Sequence, residues 1–485
     1  MLFNSHEFIF VFLPVTLLVY FYLGRKADCH FANAWLVFVS LFFYSYWNIK
    51  YLPLLLCSIG INYYLSGKII FYRKNADGLL TGKLFFVFGM IFNAVLLGFY
   101  KYADFLIGNV NFIMGMEYNL LHIVLPLGIS FFTITQMVYL VDCYEGIAKK
   151  RNLINYALFV SFFPHLLAGP ILYHKSMMKQ FADKSLQSVN WENVACGLSL
   201  FIIGLSKKML IADTLSNFVG IGYGNTENLT LVNSWLLSIC YMMQLFFDFS
   251  GYSDMAVGIS RMFNIQIPVN FKSPYRAYGM INFWSSWHIS LTTTITNYLY
   301  TPMVKLCKNI TFAKAMWATL AAMFIAGIWH GAGWTFVIFG TIHGLGLVIN
   351  HIWKHYHLWM WRPLGYMLTL LTVLVGTVFF RADSVADALN VLCAMSGGKG
   401  IVVPTVVDAY LSKYFGIDIA SGYVLENVPK KALLIAMTLV IFAPSSNELI
   451  KKMQPDVKWA VGLAALFITC FLLLGQPTEF LYFQF

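Results

Sequence analysis

The sequence predicts an all-α, polytopic integral membrane protein, and three observations predict it. Of 485 residues, 59% are apolar and only 11% are charged, against about 25% charged in ordinary soluble domains. Mean hydropathy is +0.69. The apolar residues gather in runs separated by short basic clusters (Arg25-Lys26, Arg73-Lys74, Lys149-Lys150-Arg151, Lys430-Lys431, Lys451-Lys452), the loop pattern of the positive-inside rule. A soluble chain this long would need more than 32 basic and 21 acidic side chains to clothe its surface. The composition excludes a secreted disulfide scaffold, a disordered tail protein and a cytosolic enzyme. Because the excess positive charge lies in those loops, it points to a lipid membrane and not to nucleic acid. The eight cysteines never approach CxxC spacing, so neither a disulfide framework nor a zinc site is indicated.

Each run can be taken in order. Residues 1–7 carry no Lys or Arg, and the first basic pair follows the apolar run 8–23. That start does not read as a cleavable signal; it predicts an external N-terminus with Arg25-Lys26 in the cytosol. Further runs cover 32–49, 52–65, 84–100, 103–116, 123–141, 154–172, 194–206, 231–247, 310–328, 333–352, 364–380, 432–443 and 458–474. Several are shorter than the roughly 20 residues a perpendicular helix needs. These predict re-entrant or half-helices, tolerable only when enclosed by protein. Lys451, Lys452 and Lys458 put the start of the last run inside, so both ends lie outside, the number of crossings is even, and twelve are expected. The polar stretches 73–83, 174–193, 222–230 and 396–431 do not suggest a separate soluble domain. Residues 1–485 therefore read as one membrane-embedded domain.

The informative residues are the polar ones inside apolar sequence. A charge at mid-helix costs about 2.5–3.5 kcal/mol on insertion scales, so it faces a cavity or a partner. Asp142, Asp213, Asp248, Asp254, Lys207, Lys208, His288, His330 and His343 qualify. The densest stretch runs from Gln244 to Tyr300. It holds Asp248 and Asp254 around Gly251, a loop with Pro268 and Pro274, and then Trp284, Trp287 and His288, with Tyr298 beyond. Helical spacing puts Trp284, Trp287 and His288 on one face. Downstream, Trp329-His330-Gly331 sets a histidine in a glycine-flanked turn. Each also has a plain structural reading: the histidine as a packing hydrogen-bonder, the aromatics as an interfacial belt, and Asp248 and Asp254 as caps or ion-pair partners of Lys207, Lys208 or Arg261. His351, His355 and His357 flank a charged loop without a carboxylate companion, and no metal is expected there.

At these residues the sequence resembles the membrane-bound O-acyltransferase family, in its bacterial polysaccharide O-acetyltransferase branch. The resemblance runs nearly end to end, through Leu-Pro-Leu-Gly-Ile-Ser-Phe-Phe-Thr (125–133), Phe-Phe-Pro-His-Leu-Leu-Ala-Gly-Pro-Ile (162–171), Gly-Leu-Ser-Lys-Lys (204–208) and Phe-Asp-Phe-Ser-Gly-Tyr-Ser-Asp-Met-Ala (247–256). Trp-His-Ile-Ser-Leu (287–291), Tyr-Leu-Tyr-x-Pro (298–302) and Trp-His-Gly-Ala-x-Trp (329–334) complete it. The resemblance implies helices around a central tunnel through which a cytosolic thioester, acetyl-CoA, reaches a buried centre. His330 matches the family's catalytic histidine and His288 the second tunnel histidine. Asp248, Asp254, Trp284, Trp287, Trp329 and Tyr298 are then candidate tunnel or substrate residues. A histidine in such a tunnel can stay neutral and act as general base. No bound cofactor is implied. The chain departs from the family pattern at Ser285-Ser286, at Thr296-Asn297 and at His165. Lys272, Arg276, Lys305 and Lys308 are then candidates for holding the pyrophosphate of coenzyme A.

The tail, 477–485, is apolar and aromatic. Phe480, Tyr482 and Phe485 resemble the Phe-x-Tyr-x-x-Phe terminus of the small companion peptide of teichoic-acid D-alanylation. By that resemblance Tyr482 is a candidate acyl relay, the alternative being an interfacial aromatic anchor. The expected function is a multi-pass O-acetyltransferase of the bacterial cytoplasmic (inner) membrane. It would serve an alginate-like exopolysaccharide or peptidoglycan, with an extracytoplasmic SGNH (esterase-like) acetyltransferase as partner. The competing readings are transfer of D-alanine or another acyl group by the same fold, and a proton-coupled transporter or flippase whose intramembrane Asp and His form a relay.

Overall fold

The computed structural model describes residues 1–26, 29–74, 78–402, 410–414, 428–475 and 481. Helices and their connections make up the described chain, and no strand occurs among the described residues. Seven of its helices are long and apolar enough to cross a membrane: Phe8–Lys26, Ile49–Arg73, Leu79–Met114, Trp191–Tyr223, Phe312–His330, Trp334–His355 and Arg362–Arg381. Shorter apolar helices cover Cys29–Ser45, Val385–Met395 and Val457–Leu473. The chain is thus a polytopic helical membrane protein; twelve crossings would require shorter or more polar helices to cross as well.

Several expected boundaries move, each for a local reason. The runs 84–100 and 103–116 are one helical unit, carried past the expected break by a π turn at Gly98–Tyr102. The run 194–206 continues through a second π turn, Lys207–Ala212, to Tyr223. The run 231–247 does not stop at Asp248; the helix Leu231–Met262 extends for 32 residues and is buried along most of its length. Its carboxylates do not end it because lysines from the neighbouring helix meet them. The run 154–172 breaks into Leu153–Ser161 and Phe163–Leu166. Pro164 has no N–H to give and sits in the first turn of the second piece. Every residue from 158 to 172 is buried, so this broken segment is enclosed by protein, as its interrupted backbone requires.

Two apolar cores result. One gathers the helices before residue 210, with Tyr252 to Ile267 packed on them. The other gathers Ile211 to Phe249 with Phe271 to Trp284 and the helices between Phe312 and Phe442, while Ile450 and Cys470 return to the first core. The helix Leu231–Met262 belongs to both and joins them. It lies antiparallel against Trp191–Ser206 through two glycine pairs. A Cβ on Gly197 would stand 2.5 Å from the Gly258 carbonyl oxygen, and one on Gly204 the same distance from that of Gly251. Small residues let the backbones approach this closely. A similar pair, Gly327 and Gly340, closes the hairpin between Phe312–His330 and Trp334–His355, where a Cβ on Gly327 would lie 2.7 Å from the Gly340 Cα.

Candidate active site

His330 is the last residue of the helix Phe312–His330 and is 7% exposed. Gly331 follows because there is no room for a side chain: its Cβ would meet the Phe336 ring at 2.1 Å. A helix end leaves its last carbonyls without partners, and here two adjacent residues from a distant helix supply them. Lys101 Nζ donates to the carbonyl oxygens of Trp329 (2.6 Å) and His330 (3.0 Å), and Tyr102 OH donates to that of Ile328 (2.7 Å). Both donors belong to the π turn Gly98–Tyr102. Such turns often mark functional segments. The imidazole of His330 is walled by Trp329, Phe339 and Phe380, with ring centroids 5.1, 5.8 and 5.4 Å away. A cavity of about 30 Å³ opens beside it, lined also by Phe249, Trp284, Trp287 and His343.

His288 is buried within electrostatic reach of His330. Its local structure differs from the single helical face that spacing suggested. The helix Met280–Trp284 ends, Ser285 to His288 form a turn, and a new helix begins at Ile289. His288 itself has φ +43°, a left-handed conformation that no continuous helix contains. Hydrogen bonds on both sides hold it there. Lys272 N–H donates to the Ser286 carbonyl, and Ile289 N–H to that of Asn270. The Asn270 side chain accepts from Ser290 N–H and from its hydroxyl, and the same hydroxyl accepts from Ile171 N–H. The ring of His288 meets Phe249 edge-on at 4.7 Å, and its Nε2 is buried without a hydrogen-bond partner. Trp284 and Trp287 both still line the cavity.

The remaining expected site residues divide. Asp248 and Asp254 form the ion pairs that the sequence offered as one reading: Asp254 accepts from Lys207 at 2.7 Å, and Asp248 from Lys208 at 2.5 Å. Lys208 also meets Asp213 at 2.8 Å. Asp248 has a second contact, accepting the backbone N–H of Leu481 at 3.3 Å, and Leu481 is 3% exposed. Tyr482 lies outside the described residues. Tyr298 donates its hydroxyl to Asp142 (2.9 Å) from a third π turn, Thr296–Tyr300. Trp329 packs on Phe131 at 5.6 Å, beside His330 but outside the cavity lining. His165 is a packing residue whose Nε2–H donates to the Phe159 carbonyl. Lys272, Arg276, Lys305 and Lys308 are exposed, and Arg276 already donates to the Ala443 carbonyl at 2.5 Å. Among the described residues, no three His, Cys, Asp or Glu side chains gather in a metal-holding group.

Two residues were missed as site residues. Lys101 stands as a lone cation between the expected runs 84–100 and 103–116 and was not among the expected site residues. His343 was noted only as an intramembrane histidine; it lies on the cavity opposite no carboxylate, 4.5 Å from Phe339 and 5.3 Å from Trp284 by ring centroids. The three-residue connection between helices 312–330 and 334–355 was the available signal, since a tight hairpin packs the helix that carries His343 against the helix that carries His330.

Comparison with known proteins gives the family. The chain is 38% identical to a peptidoglycan O-acetyltransferase of Helicobacter pylori, over all of this chain and 98% of that protein. It is 34% identical to the probable alginate O-acetylase AlgI of Pseudomonas aeruginosa, over 92% of this chain and 88% of the relative. A teichoic acid D-alanyltransferase of Streptococcus thermophilus is 27% identical over 47% of this chain and 57% of its own length. The profile of the membrane-bound O-acyltransferase family matches residues 31–382, which include His288 and His330. With most of its length so matched, and its helices built for a bilayer, the chain belongs to the membrane-bound O-acyltransferase family and is an acyltransferase.

Proposed function

We propose that this acyltransferase takes acetyl from cytosolic acetyl-CoA and passes it through the membrane for O-acetylation of an extracytoplasmic glycan, with peptidoglycan as the first candidate acceptor. The observation that carries the reading is His330: a buried imidazole at a pinned helix end, beside a cavity and within electrostatic reach of a second buried histidine. The relative that spans the whole chain supports peptidoglycan over an alginate-like acceptor. The protein works in the bacterial cytoplasmic membrane, and an external SGNH-type acetyltransferase completes transfer to the sugar.

Tyr482 is the acyl relay in this scheme. His330 takes the phenolic proton while the phenolate oxygen attacks the thioester carbonyl. The tetrahedral intermediate collapses, the C–S bond breaks, and the coenzyme A thiolate leaves with the proton carried by His330. A phenol, with a pKa of about 10, is easier to deprotonate than a sugar hydroxyl. The buried Leu481, hydrogen-bonded to Asp248, supports a tail turned into the protein. Leu245, three residues before Asp248 and on the same helical face, lines the cavity that His330 borders.

Purified protein incubated with radiolabelled acetyl-CoA tests this. Label is expected on the C-terminal peptide of the wild-type chain, and neither His330→Ala nor Tyr482→Phe should acquire it. Label on the tail of His330→Ala would exclude the base, and glycan acetylation in cells carrying Tyr482→Phe would exclude the relay. A protein without thioester turnover that moves a glycan with a proton gradient would be a transporter instead.

A further inference from the structure

Polar atoms buried without partners are uncommon, because each forfeits hydrogen bonds to water worth about 1–3 kcal/mol. The cavity beside His330 has an unusual share of them. His343 is 2% exposed, and both of its ring nitrogens are buried without a hydrogen-bond partner. Trp284 is 5% exposed, and its indole Nε1 is in the same condition. Both side chains line the cavity that His330 lines, and their rings meet edge to face at 5.3 Å. The protein makes room for the His343 ring specifically. Gly376, on the helix Arg362–Arg381, lies so near that a Cβ there would stand 2.4 Å from His343 Nε2. Most of the remaining lining is apolar, Leu245, Phe249, Phe339, Val373 and Phe380 among it, and the hydroxyls of Thr377 and Tyr275 already donate to the Leu374 and Met242 carbonyls. A largely apolar wall that carries two N–H donors without partners is poorly suited to a charged group and well suited to a carbonyl oxygen.

We infer that Trp284 and His343 form the acyl-carbonyl site, donating the indole N–H and one imidazole N–H to the oxygen of the thioester carbonyl. The inference rests on the reading of His330 as the base. Neutral imidazole always carries one N–H, so His343 donates without changing its protonation state. As the acceptor oxygen attacks, the carbonyl oxygen becomes an oxyanion and both hydrogen bonds strengthen. In a site walled from water that gain falls mainly on the transition state. A division of labour between two buried histidines follows. His330 moves the proton, and His343 holds the oxygen. The cavity is small, about 30 Å³, which favours a short acyl chain such as acetyl.

Release of coenzyme A in a single turnover of the purified protein, followed against acetyl-CoA concentration so that the maximal rate (kcat) and the half-saturating concentration (KM) are separated, tests the assignment, with wild type, His343→Gln, His343→Phe and Trp284→Phe compared. Removing one oxyanion donor elsewhere costs about 10²–10³-fold in kcat. His343→Phe and Trp284→Phe are each expected to lose kcat by about 10²-fold, with KM for acetyl-CoA changed less than about threefold. His343→Gln keeps an N–H donor and should recover most of the loss, a rescue that a packing role would not predict. Two variants that keep wild-type kcat, or a loss carried by KM alone, would overturn the site while leaving the His330 reading intact. A wild-type protein that releases no coenzyme A would instead remove the reading on which the site rests.

Discussion

Lys101 reaches across 229 positions of sequence to donate to the carbonyl oxygen of His330 at 3.0 Å, and to that of Trp329 at 2.6 Å. The ammonium therefore closes the end of the helix that presents the candidate base. A cation at a helix C-terminus also meets the negative end of the helix dipole. The imidazole stands at a fixed place because the carbonyls beneath it are occupied.

Lys101→Met should loosen that end. Charged hydrogen bonds contribute about 1.5–3 kcal/mol, so a lower thermal midpoint in detergent is expected, together with at least a tenfold fall in acyl-transfer rate. Lys101→Arg should keep part of the rate, because a guanidinium still donates to carbonyls. Unchanged rates in the methionine variant would show that the helix end holds without the lysine.

The ion pairs predict an order of damage. Lys208→Met leaves Asp248 and Asp213 without the cation they share. Breaking a buried pair by removing one partner costs about 3–5 kcal/mol. Asp248→Asn is expected to cost less, because Lys208 keeps Asp213. Thermal unfolding of the two variants in one detergent would compare them, and equal midpoints would contradict the shared-cation picture.

Glycines give a sharper contrast. Gly327→Val would drive side-chain atoms into the Phe336 carbonyl and Gly340, and it should abolish folded yield by size-exclusion chromatography. Gly220→Ala meets nothing within 4 Å. It should match or exceed wild-type stability by about 0.5–1 kcal/mol, the usual cost of glycine within a helix. A well-folded Gly327→Val would show that the hairpin can open at little cost.

The cavity wall predicts acyl preference. Val373 is 2% exposed and lines the space beside His330. One methylene in a hydrophobic pocket is worth about 10–200-fold in discrimination. The wild type should therefore favour acetyl-CoA over propionyl-CoA, and Val373→Ala should narrow that ratio by about tenfold in kcat/KM. An unchanged ratio would move the acyl site elsewhere.

Much of this was legible in the sequence because bilayer proteins separate apolar and polar residues so strictly. The helices Phe312–His330, Trp334–His355 and Arg362–Arg381 follow their apolar runs closely, and the pairing of Asp248 and Asp254 with neighbouring lysines was one of the stated readings. What was not legible depends on tertiary contact. A run that meets Asp248 seems to end unless one knows that Lys208 waits on the next helix. The left-handed turn at His288 is set by Asn270 and Ser290, and helical spacing cannot register that. Lys101 became a site residue only when the π turn carrying it was seen beneath His330.

The two glycine pairs have a consequence for biogenesis. Lys207 and Lys208 sit beside the Gly204–Gly251 approach, where a Cβ on Gly251 would already touch Lys207 Cβ and Lys208 N at 3.2 Å. Neither helix could rest alone in lipid without exposing charges to hydrocarbon. Together they hide those charges in the seam that the glycines create. The segment 191–262 thus forms a unit whose halves should leave the insertion machinery side by side, the first waiting at its exit until the second has been made.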